Sequence, residues 1–274
     1  MKTSLLKQKA QSFRKDIIKM LYEAKSGHPG GSLSCVDIIT ALYFNKMNID
    51  LSNPHWDGRD RFILSKGHAA PTLYAVLADI GYFPHSDLDN LRKIDCHLQG
   101  HPDMNKTPGV DMCTGSLGQG VSISVGVALG AKFQKKNYKV YTLLGDGELQ
   151  EGLVWEAAMA AAHYKLDNLT ILIDNNGLQI DGSNDEVMSL GNIEGKFEQF
   201  GFETFRVNGH DFDDITTALN KEVTGKPKCI ICKTIKGKGV SFMENNFGWH
   251  GRVISTDEFK AAMAELEVQK QWLK

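Results

Sequence analysis

The feature that most constrains the fold is a regular alternation of short apolar runs with longer segments of helical spacing. The apolar runs have the length and composition of buried strands. They cover residues 61–65, 139–144, 169–174, 203–207 and 228–235. The helical segments cover residues 69–80, a stretch after the glycine-rich turn 115–120, and residues 149–164, 193–200, 212–223 and 256–270. This alternation predicts an α/β fold with a mostly parallel sheet flanked by helices on both faces.

A helical extension is predicted ahead of the sheet. Apolar residues spaced as on one helix face predict an amphipathic helix over residues 4–25. Ser34 with Asp37 resembles a capping box and predicts a second helix that opens there and runs through Phe44. Because no linker or repeat interrupts the chain, we expect a single domain over residues 1–274.

Composition and charge exclude several classes of protein. The formal net charge of −2 at pH 7 argues against a nucleic-acid binder. No apolar run has transmembrane length and the charged N-terminus does not resemble a signal peptide, so we expect a cytoplasmic protein without membrane contact. The five scattered cysteines do not suggest a disulfide framework. Cys229 and Cys232 have CxxC spacing, but residues three apart in a strand face opposite ways, so both are predicted to be core residues.

Short loops of glycine, charged and amide residues follow four of the predicted strands. They are Lys66-Gly67-His68, Gly145-Asp146-Gly147, Asp174-Asn175-Asn176 and Lys236-Gly237-Lys238-Gly239. Because parallel strands end at one edge of a sheet, these loops are expected to share the rim where such sheets bind ligands. Asp146 and Asn176 offer the hard oxygen ligands that Mg²⁺ or Ca²⁺ prefers. The helix expected after Gly147, the turn 115–120 and the basic side chains of the first and last loops would bind phosphate oxygens. These features predict a site for a metal-bridged diphosphate.

Each of these features has a more ordinary interpretation when taken alone. Gly-Asp-Gly is a common turn, and an asparagine pair after a strand is often a turn as well. The glycines of GSLGQG (115–120) also suit close helix packing, and their order is not that of the GxGxxG dinucleotide fingerprint. The combination of Asp146 with Asn176, 30 residues apart on consecutive β units, is what favours a metal site.

Together, the motifs resemble the N-terminal, diphosphate-binding part of the transketolase family. The matching motifs are SGHPGG (26–31), KGHAAPTLY (66–74), GHPD (100–103), TGSLGQG (114–120), GDGELQEGLVWEA (145–157), DNNGLQIDG (174–182), KTIKGKG (233–239) and WHG (249–251). The spacing of GDG and NN is the thiamine diphosphate signature. Deoxyxylulose-phosphate synthases and 2-oxo acid dehydrogenase α chains share that signature, but they are not expected to share SGHPGG, GHPD and GKGVSFMEN together. The resemblance implies a thiamine diphosphate-binding fold.

The resemblance also implies a cofactor site. Mg²⁺, for which Ca²⁺ or Mn²⁺ can substitute, would be bound by Asp146, the Asn176 side chain and the Leu178 carbonyl. The residues implied to contact thiamine diphosphate are Gly147, His68, Lys236 and His250 at the phosphate end, and Gly115, Ser116 and Leu117 near the aminopyrimidine. The chain departs from the family pattern at two positions, because Ser116 stands where many members have proline and Gly31 stands where they have serine.

Four histidines occur in four of the matched motifs, namely His28, His68, His101 and His250. By resemblance they face the sugar and the reacting carbon, where histidine can transfer protons near neutral pH. By the same resemblance, Glu151 is a catalytic and cofactor-linking residue that reaches across a subunit interface. Its plainer interpretation is an acid that favours a helix N-terminus. Glu148 is predicted to be such a helix-start acid.

The implied activity is transfer of a two-carbon ketol unit from a ketose (phosphate) donor to an aldose (phosphate) acceptor. Either the pentose phosphate pathway or a dedicated route for modified sugars could use it. The family's pyrimidine-binding domain is expected to be absent from this chain, as in the N-terminal subunit of a split transketolase. A partner chain would supply that domain, and self-association would give a heterotetramer. The alternatives are a non-catalytic thiamine diphosphate-binding regulatory module, or a subunit like a deoxyxylulose-phosphate synthase or a 2-oxo acid dehydrogenase α chain.

Overall fold

The computed structural model describes residues 1–271, with side chains described through residue 268, and places a parallel sheet at the centre of the molecule. The strands are β1 (Arg61–Leu64), β2 (Val140–Gly145), β3 (Leu169–Asn175), β4 (Glu203–Asn208) and β5 (Lys228–Lys233). Their order across the sheet is β1-β2-β3-β5-β4, and every neighbouring pair is parallel. The predicted parallel α/β fold is confirmed.

Helices precede, connect and cover these strands. They are α1 (Thr3–Ala24), α2 (Pro29–Ser34), α3 (Val36–Ala41), α4 (Ala70–Ile80), α5 (Gln119–Phe133), α6 (Gly152–His163), α7 (Asn184–Met188), α8 (Ile193–Gln199), α9 (Phe212–Asn220) and α10 (Thr256–Gln271). The amphipathic helix predicted over residues 4–25 is therefore confirmed as α1. Within residues 1–271, no helix is both long and apolar enough to cross a lipid bilayer.

The predicted capping box of Ser34 and Asp37 is wrong. Helical structure already begins before Ser34, whose hydroxyl donates a hydrogen bond to the Asp174 carboxylate. The Asp37 carboxylate instead accepts from Arg14 (Nη2–Oδ2 2.6 Å) and contacts His210 (Nδ1–Oδ2 2.7 Å). Both side chains are held by residues distant in sequence, and these tertiary contacts override the local capping signal.

Two further segments differ from the sequence pattern. Residues 175–190, which fall in none of the predicted strands and helices, contain α7, which begins with a capping box between Ser183 and Glu186. The helix predicted over residues 149–164 starts only at α6, because a 3₁₀ turn (Gly147–Gln150) comes first and Glu151 between them is extended. The N–H groups next to Gly147 therefore belong to the 3₁₀ turn rather than to the α-helix expected there.

Separate hydrophobic clusters cover the two faces of the sheet. Side chains alternate along each strand, so the neighbours Leu143 and Leu144 lie in different clusters. One cluster includes residues of α1, α3, α4, α9 and α10, and the other includes residues of α5, α6 and α8. Cys229 and Cys232 are both buried and also lie in different clusters, which confirms that they are core residues on opposite faces. All five cysteines are free thiols.

The carboxyl ends of β1, β2, β3 and β5 lie next to one another. The register pairs Leu64 with Leu143, Gly145 with Asp174, and Asp174 with Cys232. The loops that follow these strands therefore share one edge of the sheet, as the sequence predicted, and they surround the candidate site.

Candidate functional site

A buried ion pair joins several loops at this edge of the sheet. The Lys66 side chain is almost fully buried, with Nζ 2.8 Å from the Gly31 carbonyl oxygen and in contact with the Asp174 carboxylate. The hydroxyl groups of Ser34 and Thr234 also donate to Asp174. Burial alone would raise the pKa of Asp174, but the Lys66 ammonium and the hydroxyl donors outweigh burial and lower it. Asp174 therefore carries its charge and anchors loops from different parts of the chain.

Asp146, which follows β2, lines a cavity of about 190 Å³. It is only 2% exposed, its carboxylate accepts from the N–H groups of Gly147 (2.9 Å) and Gly177 (2.5 Å), and the Asn184 amide lies beside it. Burial raises the pKa of Asp146 more than these donors lower it. Among the described side chains, no lysine, arginine or histidine forms an ion pair with it. Because a buried carboxylate without a cationic partner is unfavourable, this arrangement favours a bound cation.

Asn176 and Leu178 line the same cavity. The Asn176 side-chain oxygen accepts from the Leu178 N–H at 3.1 Å, and the Leu178 carbonyl accepts from Lys236 Nζ at 3.2 Å. Lys236 is buried and also lies 3.0 Å from His250 Nδ1, and burial followed by repulsion from Lys66 lowers its pKa to about 8. Within the described part of the chain, no three His, Cys, Asp or Glu side chains are placed to hold a metal ion. A cation here would therefore complete its oxygen shell from a bound ligand or water.

The four histidines singled out by the sequence form one cluster. The His28 ring centroid lies 5.2 Å from that of His68, 6.3 Å from His101 and 5.5 Å from His250. Burial, reinforced by nearby cationic and histidine side chains, lowers the pKa of all four, to about 4 for His28 and about 3 for His250. The four rings are therefore neutral at pH 7, and a neutral imidazole can both accept and donate a proton.

The glycine-rich turn lies beside this cluster. Leu117 lines the cavity, whereas Ser116 is exposed. Gly115 has a φ of 148°, and a Cβ at this position would lie 3.1 Å from Cδ2 of His101. The turn therefore packs directly against a histidine ring, and only a glycine allows this close approach.

Glu151 and Lys238 occupy different places relative to the cavity. Glu151 lines it with an exposed side chain, at the point where the 3₁₀ turn ends and α6 begins. Lys238, from the last of the four loops, pairs with Glu244 (Nζ–Oε1 3.2 Å) and is not part of the cavity wall. Of the two lysines of this loop that were predicted to bind phosphate, Lys236 therefore lines the cavity and Lys238 points to Glu244.

Glu148 has a different role from the predicted one. Its carboxylate is buried and accepts hydrogen bonds from the Ser65 hydroxyl, the Gly118 N–H (2.8 Å) and the Gly145 N–H (3.1 Å). Burial raises its pKa, although these donors act against the rise. Glu148 thus connects the loop after β1, the glycine-rich turn and the end of β2, which no local sequence pattern indicates.

Arg92 is a further residue that the motifs did not identify. Its guanidinium donates to the Ser26 hydroxyl (2.7 Å) and, more weakly, to the Gly100 carbonyl (3.4 Å). It thereby links the loop that carries His28 to the loop that carries His101. Within the described residues, no carboxylate forms an ion pair with this guanidinium.

Known proteins resemble this chain over almost its whole length. Residues 6–272 match the family described as "Transketolase, thiamine diphosphate binding domain". A 6-deoxy-6-sulfo-D-fructose transketolase subunit from Clostridium sp. (strain MSTE9) is 45% identical over 264 residues, which cover 96% of each chain. An apulose-4-phosphate transketolase subunit from Phocaeicola vulgatus is 41% identical over 268 residues, which cover 97% of this chain and 95% of that one.

Longer transketolases match over only part of their length. The crystal structure of the transketolase from Campylobacter jejuni has a TM-score of 0.90 and 33% identity, covering 100% of this chain and 46% of that chain. This chain thus spans less than half of that solved enzyme and nearly all of the separate subunits. The chain belongs to the transketolase family, as an N-terminal subunit that carries the thiamine diphosphate-binding domain.

Proposed function

We propose that the chain acts in a two-chain transketolase, which transfers a two-carbon ketol unit from a ketose or ketose phosphate to an aldose or aldose phosphate. The observation that carries this proposal is a cluster of four neutral histidine rings, two of which, His68 and His250, line a cavity that contains a buried carboxylate without a cationic partner. Proton transfer and cation binding are among the tasks that ketol transfer with thiamine diphosphate requires of the protein.

The residues of the cavity fit a cation-bridged diphosphate. Asp146, the Asn176 side chain and the Leu178 carbonyl would supply the protein oxygens to Mg²⁺, or to Ca²⁺ or Mn²⁺ in its place. The Gly147 N–H, His68, Lys236 and His250 would lie at the phosphate end. Burial and Lys66 lower the pKa of Lys236, so its charged form is disfavoured when no anion is near. A phosphate group beside Lys236 would stabilise that charged form. The site thus offers a cation ligand set and phosphate donors side by side.

Thiamine diphosphate, when bound, supplies the nucleophilic carbon that carries the two-carbon unit. The residues of this chain orient the substrate and move protons. His28 and His101 can each accept a proton from a substrate hydroxyl during cleavage and return it during addition, because their neutral forms predominate at pH 7. Gly115, Ser116 and Leu117 would shape the path toward the aminopyrimidine.

A partner chain completes this proposal. Two relatives that match this chain over at least 95% of their own length are named as transketolase subunits, which supports a C-terminal partner subunit that would supply the pyrimidine-binding domain. The exposed Glu151 would reach across a subunit interface of the assembly. Two copies of each subunit would form a heterotetramer. Two relatives are named for a sulfo sugar and for a sugar phosphate, which supports sugars of this kind as substrates.

Reconstitution with the C-terminal subunit tests the proposal. The complex, supplied with thiamine diphosphate and Mg²⁺, is screened across ketose donors and aldose acceptors. We expect turnover that depends on both chains. His28→Ala or His101→Ala should abolish this turnover, whereas cofactor binding should persist. Full ketol transfer by this chain alone would contradict the need for a partner. An unchanged biological output from a histidine variant without turnover would support a regulatory module instead.

A further inference from the structure

Asn184 is a buried amide beside the carboxylate that would bind the cation. It is 5% exposed and is the first residue of α7. Its backbone N–H donates to the Gly177 carbonyl at 2.9 Å, and its side-chain amide lies beside the Asp146 carboxylate, where it lowers the pKa of that group. The Gly177 N–H in turn donates to Asp146. Asp146, Gly177 and Asn184 therefore lie against one another, with Gly177 hydrogen-bonded to both of the others.

The side-chain oxygen of Asn184 is buried and has no hydrogen-bond partner among the described residues. It lies 3.7 Å from the position that a Cβ on Gly147 would occupy. The side-chain nitrogen of Gln179, which lines the cavity, is buried and unpartnered in the same way. Because buried polar atoms are nearly always paired, two unpaired atoms beside one cavity point to partners that arrive with a ligand. A water on a bound cation is a suitable donor for the Asn184 oxygen.

The local fold explains why Asn184 reaches this position. Leu178 and Ser183 form an antiparallel bridge, so the segment between them folds back on itself. The capping box of Ser183 with Glu186 then starts α7 at once. The chain thus lines the cavity from Leu178 to Ile180, leaves it, and returns beside Asp146 at Asn184.

We propose that Asn184 is a positioning residue for the cation. Its amide N–H holds the Asp146 carboxylate in place, and its amide oxygen accepts a hydrogen bond from a water on the bound ion. This inference rests on the proposed function, since it requires that Asp146 binds a cation together with thiamine diphosphate. Residues that orient metal ligands in this way typically change metal affinity about 10–100-fold when they are removed.

The test measures cation affinity in the complex of the full chain with its C-terminal subunit. Mn²⁺ is titrated in the presence of saturating thiamine diphosphate, and free Mn²⁺ is followed by electron paramagnetic resonance. Asn184→Leu keeps the size of the side chain and removes both polar atoms. We expect it to weaken Mn²⁺ binding about 10–100-fold.

Asn168 provides a matched control at the opposite end of the sheet. It is also buried, its Nδ2 donates to the Ala128 carbonyl at 2.9 Å, and its side-chain oxygen is likewise unpartnered. Asn168→Leu therefore removes an equivalent buried amide and is expected to lower the unfolding temperature without changing Mn²⁺ affinity.

Ser183→Ala separates positioning from a purely structural role. It removes the capping box of α7 but keeps the Asn184 amide and the backbone bridge between Leu178 and residue 183, which directs the chain back toward Asp146. We expect its Mn²⁺ affinity to match that of the unsubstituted complex. The inference is overturned if Asn184→Leu binds Mn²⁺ normally, or if Ser183→Ala or Asn168→Leu weakens binding as much as Asn184→Leu does.

Asp146→Ala tests the proposed function separately. Loss of Mn²⁺ binding in Asp146→Ala together with normal binding in Asn184→Leu would refute only the role of Asn184. Normal binding in Asp146→Ala, or no binding by the unsubstituted complex, would refute the cation site itself and this inference with it.

Discussion

Replacing Lys66 by methionine removes the ammonium of the buried ion pair and keeps most of the side-chain volume. Asp174 then remains buried and charged at pH 7, with the hydroxyl donors of Ser34 and Thr234 and a long hydrogen bond from the Asn176 amide (3.5 Å) but no cation beside it. Removal of one partner from a buried pair typically costs about 3–5 kcal/mol, a large share of the roughly 5–15 kcal/mol that stabilises a folded domain. At about 2–4 °C per kcal/mol, the unfolding temperature should fall by roughly 6–20 °C.

The double variant Lys66→Met/Asp174→Asn is the control for this prediction. It removes both charges, and the asparagine amide can accept from the hydroxyl of one of Ser34 and Thr234 through its oxygen and donate to the hydroxyl oxygen of the other through its nitrogen. Because no unpaired charge remains, it should be clearly more stable than the single variant in urea unfolding at pH 7. The reasoning fails if Lys66→Met costs less than about 1 kcal/mol, which is the range of exposed ion pairs, or if the double variant is no more stable than the single one.

The contribution of the Lys66–Asp174 pair to the free energy of unfolding depends on pH in a direction that can be predicted. The folded state lowers the pKa of Asp174, so its contribution to stability is present above the unfolded carboxylate pKa and is lost as pH falls through the folded pKa. In Lys66→Met, the unpaired Asp174 can take up a proton more easily. The difference in stability between the two proteins should therefore shrink as the pH is lowered.

Three further substitutions test other parts of the site. The folded state lowers the His28 pKa from 6.5 to about 4, so the free energy of unfolding should fall as the pH is lowered between these values. In thermal unfolding, the melting temperature of His28→Gln should fall less over this pH range than that of the unsubstituted chain. Glu148→Ala leaves three donors without their acceptor and should cost about 1–3 kcal/mol in urea unfolding, whereas an unchanged midpoint would contradict its role. Arg92→Met should raise the pKa of His28 and His101 in ¹⁵N NMR titrations of the rings, because after burial Arg92 contributes most to lowering both. The exposed Arg206→Met is the matched control and should leave both titrations unchanged.

The strands and their loops could be predicted because their signals are local. Apolar runs of strand length are readable within a few residues, and parallel pairing then places the following loops at one edge. Ser34 and Glu148 could not be assigned in this way. The Ser34 hydroxyl meets Asp174, 140 residues later, and the Glu148 carboxylate meets Ser65, 83 residues earlier. A serine and an acid near helix starts look alike in sequence whether their partner is a backbone N–H or a distant side chain.

The type of helix that follows Asp146 could not be predicted from the sequence pattern either. The residues after Asp146 have helical composition, but hydrophobic spacing does not distinguish a 3₁₀ turn from the first turn of an α-helix. The extended backbone at Glu151 separates the two elements and exposes its side chain at the cavity. The burial of Asn184 likewise depends on the antiparallel bridge that returns the chain to the cavity, which involves only backbone groups.

The carboxylates of Glu148 and Asp174 have a consequence for how fast and how strongly a ligand can bind. Each accepts hydrogen bonds from several separate segments, so the loops at this edge are already held in place before a ligand arrives. Little binding free energy is then lost to ordering the chain, which favours affinity for a small ligand. Association should accordingly be limited by entry into the cavity rather than by loop closure. The heat-capacity change on binding should correspond to the surface of the ligand, without the larger change that accompanies coupled folding.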